Sequence, residues 1–265
     1  MTHLVLPLST LYYEDPAYFD GRVLPLIGEL EVRFFDRMPV PDGLPLHVHF
    51  DLGLAADDFE DRVRASGLFG FLDNYEVTRL SWDLGPAAGR NLSVFPVSRE
   101  LSGKEVLERC RKRVYWLRQW FSGEILLENL PYYRTGLYEN VCEPDFFRRA
   151  LELLDSGLLL DLAHAVTAAD NMGRDRNEYI AALPLERMAG VHLSKVRTNR
   201  WQTVDAHECP DFEEIDMLQE VLETSGRSDV GVTVEFYREK EQLALCYETL
   251  SARLHIEGAA EGALE

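Results

Sequence analysis

The sequence predicts a (β/α)8 barrel, and three observations carry that reading. Eight short β-like runs alternate with amphipathic helical stretches. The 265 residues come close to the roughly 250 usual for such a barrel. Carboxylates and histidines stand at or just after the apolar runs, where the functional groups of these barrels sit.

The runs, in order, are His3 to Leu8, Leu30 to Phe35, Leu44 to Asp51, Val77 to Leu84, Glu124 to Leu130, Leu158 to Ala163, Gly190 to Ser194 and Val230 to Tyr237. Helical periodicity fills the spaces between them. It is clearest over Gly103 to Phe121, where Val106, Leu107, Cys110, Val114, Leu117 and Phe121 recur at helical spacing. The others are Asp57 to Ser66, Asp145 to Leu154 behind the Pro144 start, Asp211 to Thr224 and Arg238 to Leu254. One domain over residues 1–256 and a flexible Gly/Ala/Glu tail over 257–265 is the expected organisation.

Composition narrows the function. The first residues lack a basic segment and a small-residue cleavage site, and no apolar run approaches the roughly 20 residues of a membrane span. A cytoplasmic enzyme is expected. Cys110, Cys142, Cys209 and Cys246 are scattered without C-x-x-C spacing and read as reduced thiols, with Cys209 an ordinary buried thiol rather than a ligand. A formal net charge of -19, from 27 basic and 46 acidic residues, repels polyanions. Nucleic acid and anionic membrane are therefore not expected as partners.

The acids and imidazoles form a series: Glu128, Asp161-x-x-His164, His192, Asp205-x-His207 and Glu235. Any one of them alone is more often a hydrogen-bonded core residue than a ligand. Together, each at the end of a run, they describe a metal site in pieces. Asp205 and His207, in the loop after the seventh run, point the same way in an extended segment, and alternation puts His47, His49 and Asp51 on one face, with His49 at the mouth. Imidazole and carboxylate without thiolate suit iron, manganese or zinc. Glu128, Asp161, Asp205 and Glu235 would repel one another unless divalent cations neutralised them, and the ligands exceed what one ion needs. A site for two or three ions is expected. His3 and His255 have no partners in this pattern. The basic segment from Ser194 to Arg200 reads either as a solvated loop or as a clamp for a carboxylate or phosphate. The aromatic run Leu130-Pro131-Tyr132-Tyr133-Arg134 reads as packing or as the lining of a peptide groove.

The motifs Leu127-Glu128-Asn129-Leu130-Pro131, Gly157 to Asp161 running on through His164 to Ala169-Asp170-Asn171-Met172-Gly173, Leu183 to Arg187 leading to Val191-His192-Leu193, Asp205-Ala206-His207 and Val234-Glu235-Phe236 resemble the DUF692 group, the multinuclear non-haem iron-dependent oxidases. The resemblance runs collinearly from about residue 28 to 245. It implies a TIM barrel of the xylose-isomerase-like superfamily. That barrel would hold two or three irons and use dioxygen to modify a ribosomally made precursor peptide, commonly at cysteine, as in methanobactin biosynthesis. It also implies a small partner protein that recognises the peptide's leader.

Carried over by motif, the iron ligands fall on His49, Glu128, Asp161, His192, Asp205, His207 and Glu235, with Glu128, Asp161, His192 and Glu235 also expected to be catalytic. Zinc or manganese are the alternative metals. His164 is counted with the ligands; the methanobactin branch has Asn there and other barrels of the superfamily have His. Asn129, Asn171, Lys195, Arg197 and Arg200 are expected to bind substrate. Asp83 stands where members have a histidine ending the fourth strand, Val196 where a second histidine follows His192, and Glu208-Cys209 where many show Asp-His. These departures bear on the third metal and leave a two-metal core.

Two other classes share the pattern. A sugar or sugar-phosphate isomerase or epimerase would use the same ions with the Lys195 to Arg200 patch as phosphate clamp. A trinuclear zinc phosphodiesterase resembling the endonuclease IV group shares the ligand order, but the net charge opposes it.

Overall fold

In the computed structural model, which describes residues 1–33, 39–86 and 100–256, eight parallel strands close into a barrel. The chain runs through β1 (His3–Pro7), β2 (Ile27–Val32), β3 (Leu46–Phe50), β4 (Val77–Asp83), β5 (Glu124–Glu128), β6 (Gly157–Asp161) and β7 (Met188–Leu193). An antiparallel hairpin of β8 (Lys195–Thr198) and β9 (Thr203–Glu208) follows, and β10 (Gly231–Val234) pairs with both β7 and β1 to close the ring. Each predicted run is a barrel strand. The bounds shift: β2 begins at Ile27 rather than Leu30, β6 stops at Asp161 rather than Ala163, and β10 stops at Val234 rather than Tyr237. Residues 34 and 35 of the second run, and the tail at 257–265, lie outside the described residues.

Alternation along the strands explains both the closure and the site. Outward side chains such as Leu80, Trp82, Leu127, Leu160, Val191 and Val232 are fully buried. They face the helices and supply the apolar contact that holds the two layers together. The intervening positions point into the barrel and are polar at both ends. At the floor, His3 and Arg79 each lie 3.1 Å from Glu29, and Arg79 also meets Glu124 at 3.2 Å. Above it Leu126, Leu159 and Ala189 form a small apolar plug. Gly157 and Gly190 make room for it: a Cβ there would stand 2.6 Å from Leu126 and 2.8 Å from Leu159. The space toward the C-terminal ends of the strands is left to acids and imidazoles.

Helices α1 (Thr10–Glu14), α2 (Pro16–Arg22), α3 (Phe59–Ala65), α4 (Leu68–Asn74), α5 (Gly103–Leu117), α6 (Pro144–Leu154), α7 (Leu162–Met172), α8 (Arg176–Ala182), α9 (Phe212–Ser225) and α10 (Lys240–Arg253) wrap the strands. Helices α3, α5, α6, α9 and α10 match expectation, and α5 and α9 start in full capping boxes, Ser102 with Glu105 and Asp211 with Glu214. The sequence reading missed α7, whose first turns continue the apolar run of β6: Leu162, Ala163, Ala165, Val166, Thr167, Ala168 and Ala169 are all buried. Asp161 both ends β6 and caps α7, accepting from the backbone N–H of His164 at 2.6 Å. Among the described residues no helix is long and apolar enough to cross a membrane, and the cysteines are free.

Candidate metal centre

β3 and β4 supply the first part of the site. The hydroxyl of Ser81 lies between two buried imidazoles, 2.7 Å from His47 Nε2 and 2.8 Å from His49 Nδ1. One hydroxyl proton serves both, so Ser81 donates to one ring and accepts from the other. His49 Nε2 then faces Asp51 at 2.9 Å and Glu128 at 3.3 Å.

β7 supplies the second part. His192 Nε2 is 2.9 Å from Glu31 Oε2, which also accepts from Thr233 at 3.0 Å, while Arg33 Nε donates to the other oxygen of Glu31 at 2.7 Å. The opposite nitrogen, His192 Nδ1, is buried without a hydrogen-bond partner. It faces Glu235 at 3.3 Å and Glu128 at 3.4 Å.

The third part comes from the start of α7. Capping places His164 a turn beyond Asp161, which is the physical content of the Asp-x-x-His spacing. Its Nδ1 is 2.9 Å from the carbonyl of Asn129, and its Nε2 faces Asp205 at 3.5 Å. Asn129 itself pairs with the backbone of Asp161, donating to its carbonyl and accepting from its N–H, both at 2.9 Å. Asp161 Oδ2 is left buried and without a hydrogen-bond partner.

The hairpin closes the ring. Its ladder slips between Lys195 and Val196, and the extra residues on β9 form a bulge in which His207 takes a left-handed φ of 42°. Asp205 and His207 do meet, at 3.2 Å, but through this bulge rather than through the plain alternation expected of an extended segment. His207 Nε2 also reaches Glu235 at 3.2 Å, under an edge of Tyr237.

The imidazoles of His49, His192 and His164 thus share a plan. One nitrogen of each is held by the protein, by Ser81, Glu31 or the Asn129 carbonyl, and the other is turned toward carboxylates. Metal-binding histidines are oriented in this way. His49, Glu128 and His192, then Glu31, His192 and Glu235, then Glu128, Asp161 and His164 each bring donor atoms close enough to share one ion. Glu128 and His192 belong to two groups apiece, and the two oxygens of Glu128 face different imidazoles.

The electrostatics fit cations. Burial raises Asp83, and the neighbouring Glu128 raises it further, so that its carboxyl stands well above the usual range. Burial lifts Asp161 to about 8 against the pull of His164, with Glu235, Glu128 and Asp205 adding to the rise. Burial opposes charge on His192, but Glu235, Glu31 and Glu128 outweigh it and hold the ring well above its ordinary value. Protons held on crowded acids and imidazoles are what divalent ions displace when they bind. The unpartnered His192 Nδ1 and Asp161 Oδ2, with an all-nitrogen-and-oxygen donor set, suit iron, manganese or zinc.

The expected ligands converge at one rim. Asp83 faces Glu128 there, as the register of β4 on β5 requires. Glu31, Arg33 and Ser81 were missed by the sequence reading. Period two held the signal: Glu29, Glu31 and Arg33 alternate along β2 as His47, His49 and Asp51 do along β3. Arg33 is the rim's fixed cation, bonded to Glu31 and Glu235.

The expected substrate-binding residues are scattered. Asn129 is engaged with Asp161. Asn171 joins two loops, donating to the carbonyls of Tyr132 and Thr203 and accepting from Thr203 N–H, each at 2.9 Å. Lys195 pairs with Asp211 and Arg197 with Glu208, while Arg200 lies 4.6 Å over the Trp201 ring. Cys209 hydrogen-bonds with Cys246 of α10.

The family model described as RiPP precursor modification enzyme MbnB/TglH/ChrH matches residues 43–251. Among curated proteins, a UPF0276 protein of Pseudomonas aeruginosa is 30% identical over 127 residues, 47% of this chain and 43% of that protein. A UPF0276 protein of Paraburkholderia phytofirmans is 28% identical over 111 residues, 40% of this chain and 36% of that one. The chain spans about two fifths of the length of these relatives. Among solved structures, a putative xylose isomerase from Rhodospirillum rubrum superposes with TM-score 0.63 at 13% identity, covering 96% of this chain and 99% of that one. The 3-keto-D-glucoside 4-epimerase from E. coli gives 0.54 at 15%, covering 96% and 98%. At these identities the likeness establishes the barrel fold and no activity.

Proposed function

We propose, from the premise that this chain belongs to the MbnB/TglH/ChrH family of RiPP precursor modification enzymes, that it is a multinuclear iron oxidase. It uses dioxygen to modify a residue, cysteine first, of a ribosomally synthesised precursor peptide, with a small leader-recognition protein as partner. The observation that carries this reading is the common plan of His49 and His192, each held at one nitrogen and turned at the other toward the shared Glu128, with His164 held by the Asn129 carbonyl and turned toward Asp205.

Iron held by His49, Glu128, Asp161, His164, His192 and Glu235, with Asp205, His207 and Asp83 beside them, would supply one-electron redox chemistry and Lewis acidity. The chain's own part is positional. Glu128, whose two oxygens face different imidazoles, would hold metal from both sides of its carboxylate. Glu31 and Ser81 fix which nitrogen of His192 and His49 is presented. Arg33 balances Glu235 and Glu31, and the ring of Tyr237 shields that pair from water.

Purification under nitrogen with ferrous iron, followed by elemental analysis, Mössbauer spectroscopy and mass spectrometry of a cysteine-bearing precursor peptide, tests the reading. More than one iron per chain and a dioxygen-dependent mass change are expected. Zinc alone, or anaerobic turnover of a sugar, would overturn it in favour of the hydrolase or isomerase.

A further inference from the structure

Beside the metal centre, the tip of the β8–β9 hairpin, the end of α7 and the turn after β5 enclose a cavity of about 570 Å³. Arg134, Arg174, Arg200 and Trp201 line it. Arg174 is matched by Glu143, at 2.6 and 2.8 Å. The other two guanidiniums are not. Arg134 donates to the backbone carbonyl of Asn171, at 3.2 and 3.4 Å, and Arg200 covers the Trp201 ring; neither meets a carboxylate among the described residues. Trp201 is 79% exposed. An indole left in water beside two unmatched cations is an unfilled recognition surface.

The cavity communicates with the chemistry. Tyr133 lines it, and the phenol of the same residue lies close to Asp205 and His164. Its frame is rigid: Asn171 ties the hairpin to the turn after β5, and Asp170 accepts from Thr203 at 2.7 Å while gripping Arg176 through two bonds of 2.8 Å.

We propose that this cavity seats an acidic side chain of the peptide substrate, with Arg134 and Arg200 pairing with its carboxylate and Trp201 packing on the adjoining peptide. The proposal rests on the reading of the chain as a peptide-modifying enzyme and names a preference within it. Planar guanidiniums are the groups that grip a carboxylate through paired bonds. A protein of net charge -19 repels an acidic peptide everywhere else, so a local cationic seat also sets the register in which the peptide lies.

The test is fluorescence anisotropy under nitrogen with the full chain and a labelled peptide Glu-Gly-Cys-Gly-Glu, beside its Gln-Gly-Cys-Gly-Gln counterpart. The glutamate peptide is expected to bind and the glutamine peptide to bind at least tenfold more weakly. Arg134→Glu with Arg200→Glu should weaken the glutamate peptide by roughly tenfold or more. The same change of charge outside the cavity lining, Arg111→Glu with Lys112→Glu on the exposed face of α5, should leave binding within about twofold. Trp201→Ala should weaken both peptides. Equal losses in the two charge-reversed pairs, equal binding of the two peptides, or retention of inorganic phosphate without the glutamate peptide would each overturn the proposal. Because binding is read without turnover, a failed oxidase reading leaves this result standing. Lost binding with intact precursor modification removes this proposal alone.

Discussion

Ser81→Ala isolates the most consequential contact that the sequence reading missed. The Ser81 hydroxyl is fully buried and bonds to His47 and His49 at 2.7 and 2.8 Å. Removing it leaves two buried ring nitrogens without partners, each costing about 1–3 kcal/mol, so the metal-free protein should lose about 2–6 kcal/mol. The lower end applies if a water enters the vacated space. For His49 to offer Nε2 to a metal, its Nδ1 must carry the proton and donate to Ser81, whose own proton then goes to His47. Without that lock the ring can rotate and tautomerise, and iron affinity should fall roughly 10- to 100-fold. Urea denaturation of metal-free protein gives the first number, and competition with a chelator gives the second. In a His47→Leu background one of the two orphaned nitrogens is already gone, so the same substitution should cost markedly less. A Ser81→Ala protein within about 0.5 kcal/mol of wild type and with unchanged metal affinity would refute the reasoning.

Other expectations concern charge. Arg33→Met leaves Glu31 and Glu235 buried without their cation; the metal-free protein should lose about 3–5 kcal/mol, and added divalent metal should restore part of it, as thermal melts with and without metal will show. Glu128→Gln removes a charge shared by two donor groups, so metal content by elemental analysis should fall by more than one ion per chain, unlike His207→Ala at the half-exposed edge of the rim. Chelation should lower the melting temperature and ferrous iron restore it, by about 4 kcal/mol at a thousandfold excess over the dissociation constant. Arg176 beside Asp170 holds that carboxyl below its ordinary value, with Thr203 assisting against burial. The folded state therefore binds its proton less readily than the unfolded one, so this stabilisation is complete above the unfolded value near 3.9 and is lost as pH falls through the folded value. Protection of β9 amides, measured against their intrinsic exchange rates, should fall in that acid range in wild type, and be low and unchanging there in Asp170→Asn.

The barrel was legible in the chain because alternation writes it directly: apolar side chains that must face helices recur at every second position, and the acids and imidazoles between them can only face inward. His49 followed from that rule and Glu128, Asp161, His192 and Glu235 from their place at the ends of runs; Glu31 obeys the rule too, but it stands inside the run Leu30 to Phe35 and not at its end. α7 was harder to read, because its apolar first turn, Leu162-Ala163, continues the apolar run of β6 without a break. What tertiary structure alone decided is which atoms meet. No spacing tells that Ser81 divides one proton between two imidazoles, that Arg33 crosses to Glu235 more than half the chain away, or that a bulge re-aims His207. Nor does it tell that Lys195 and Arg197 are neutralised by Asp211 and Glu208 while Arg134 and Arg200 are not. Residue type and period fix the side of a strand on which a group lies; its partner depends on register and closure, which only the folded chain sets.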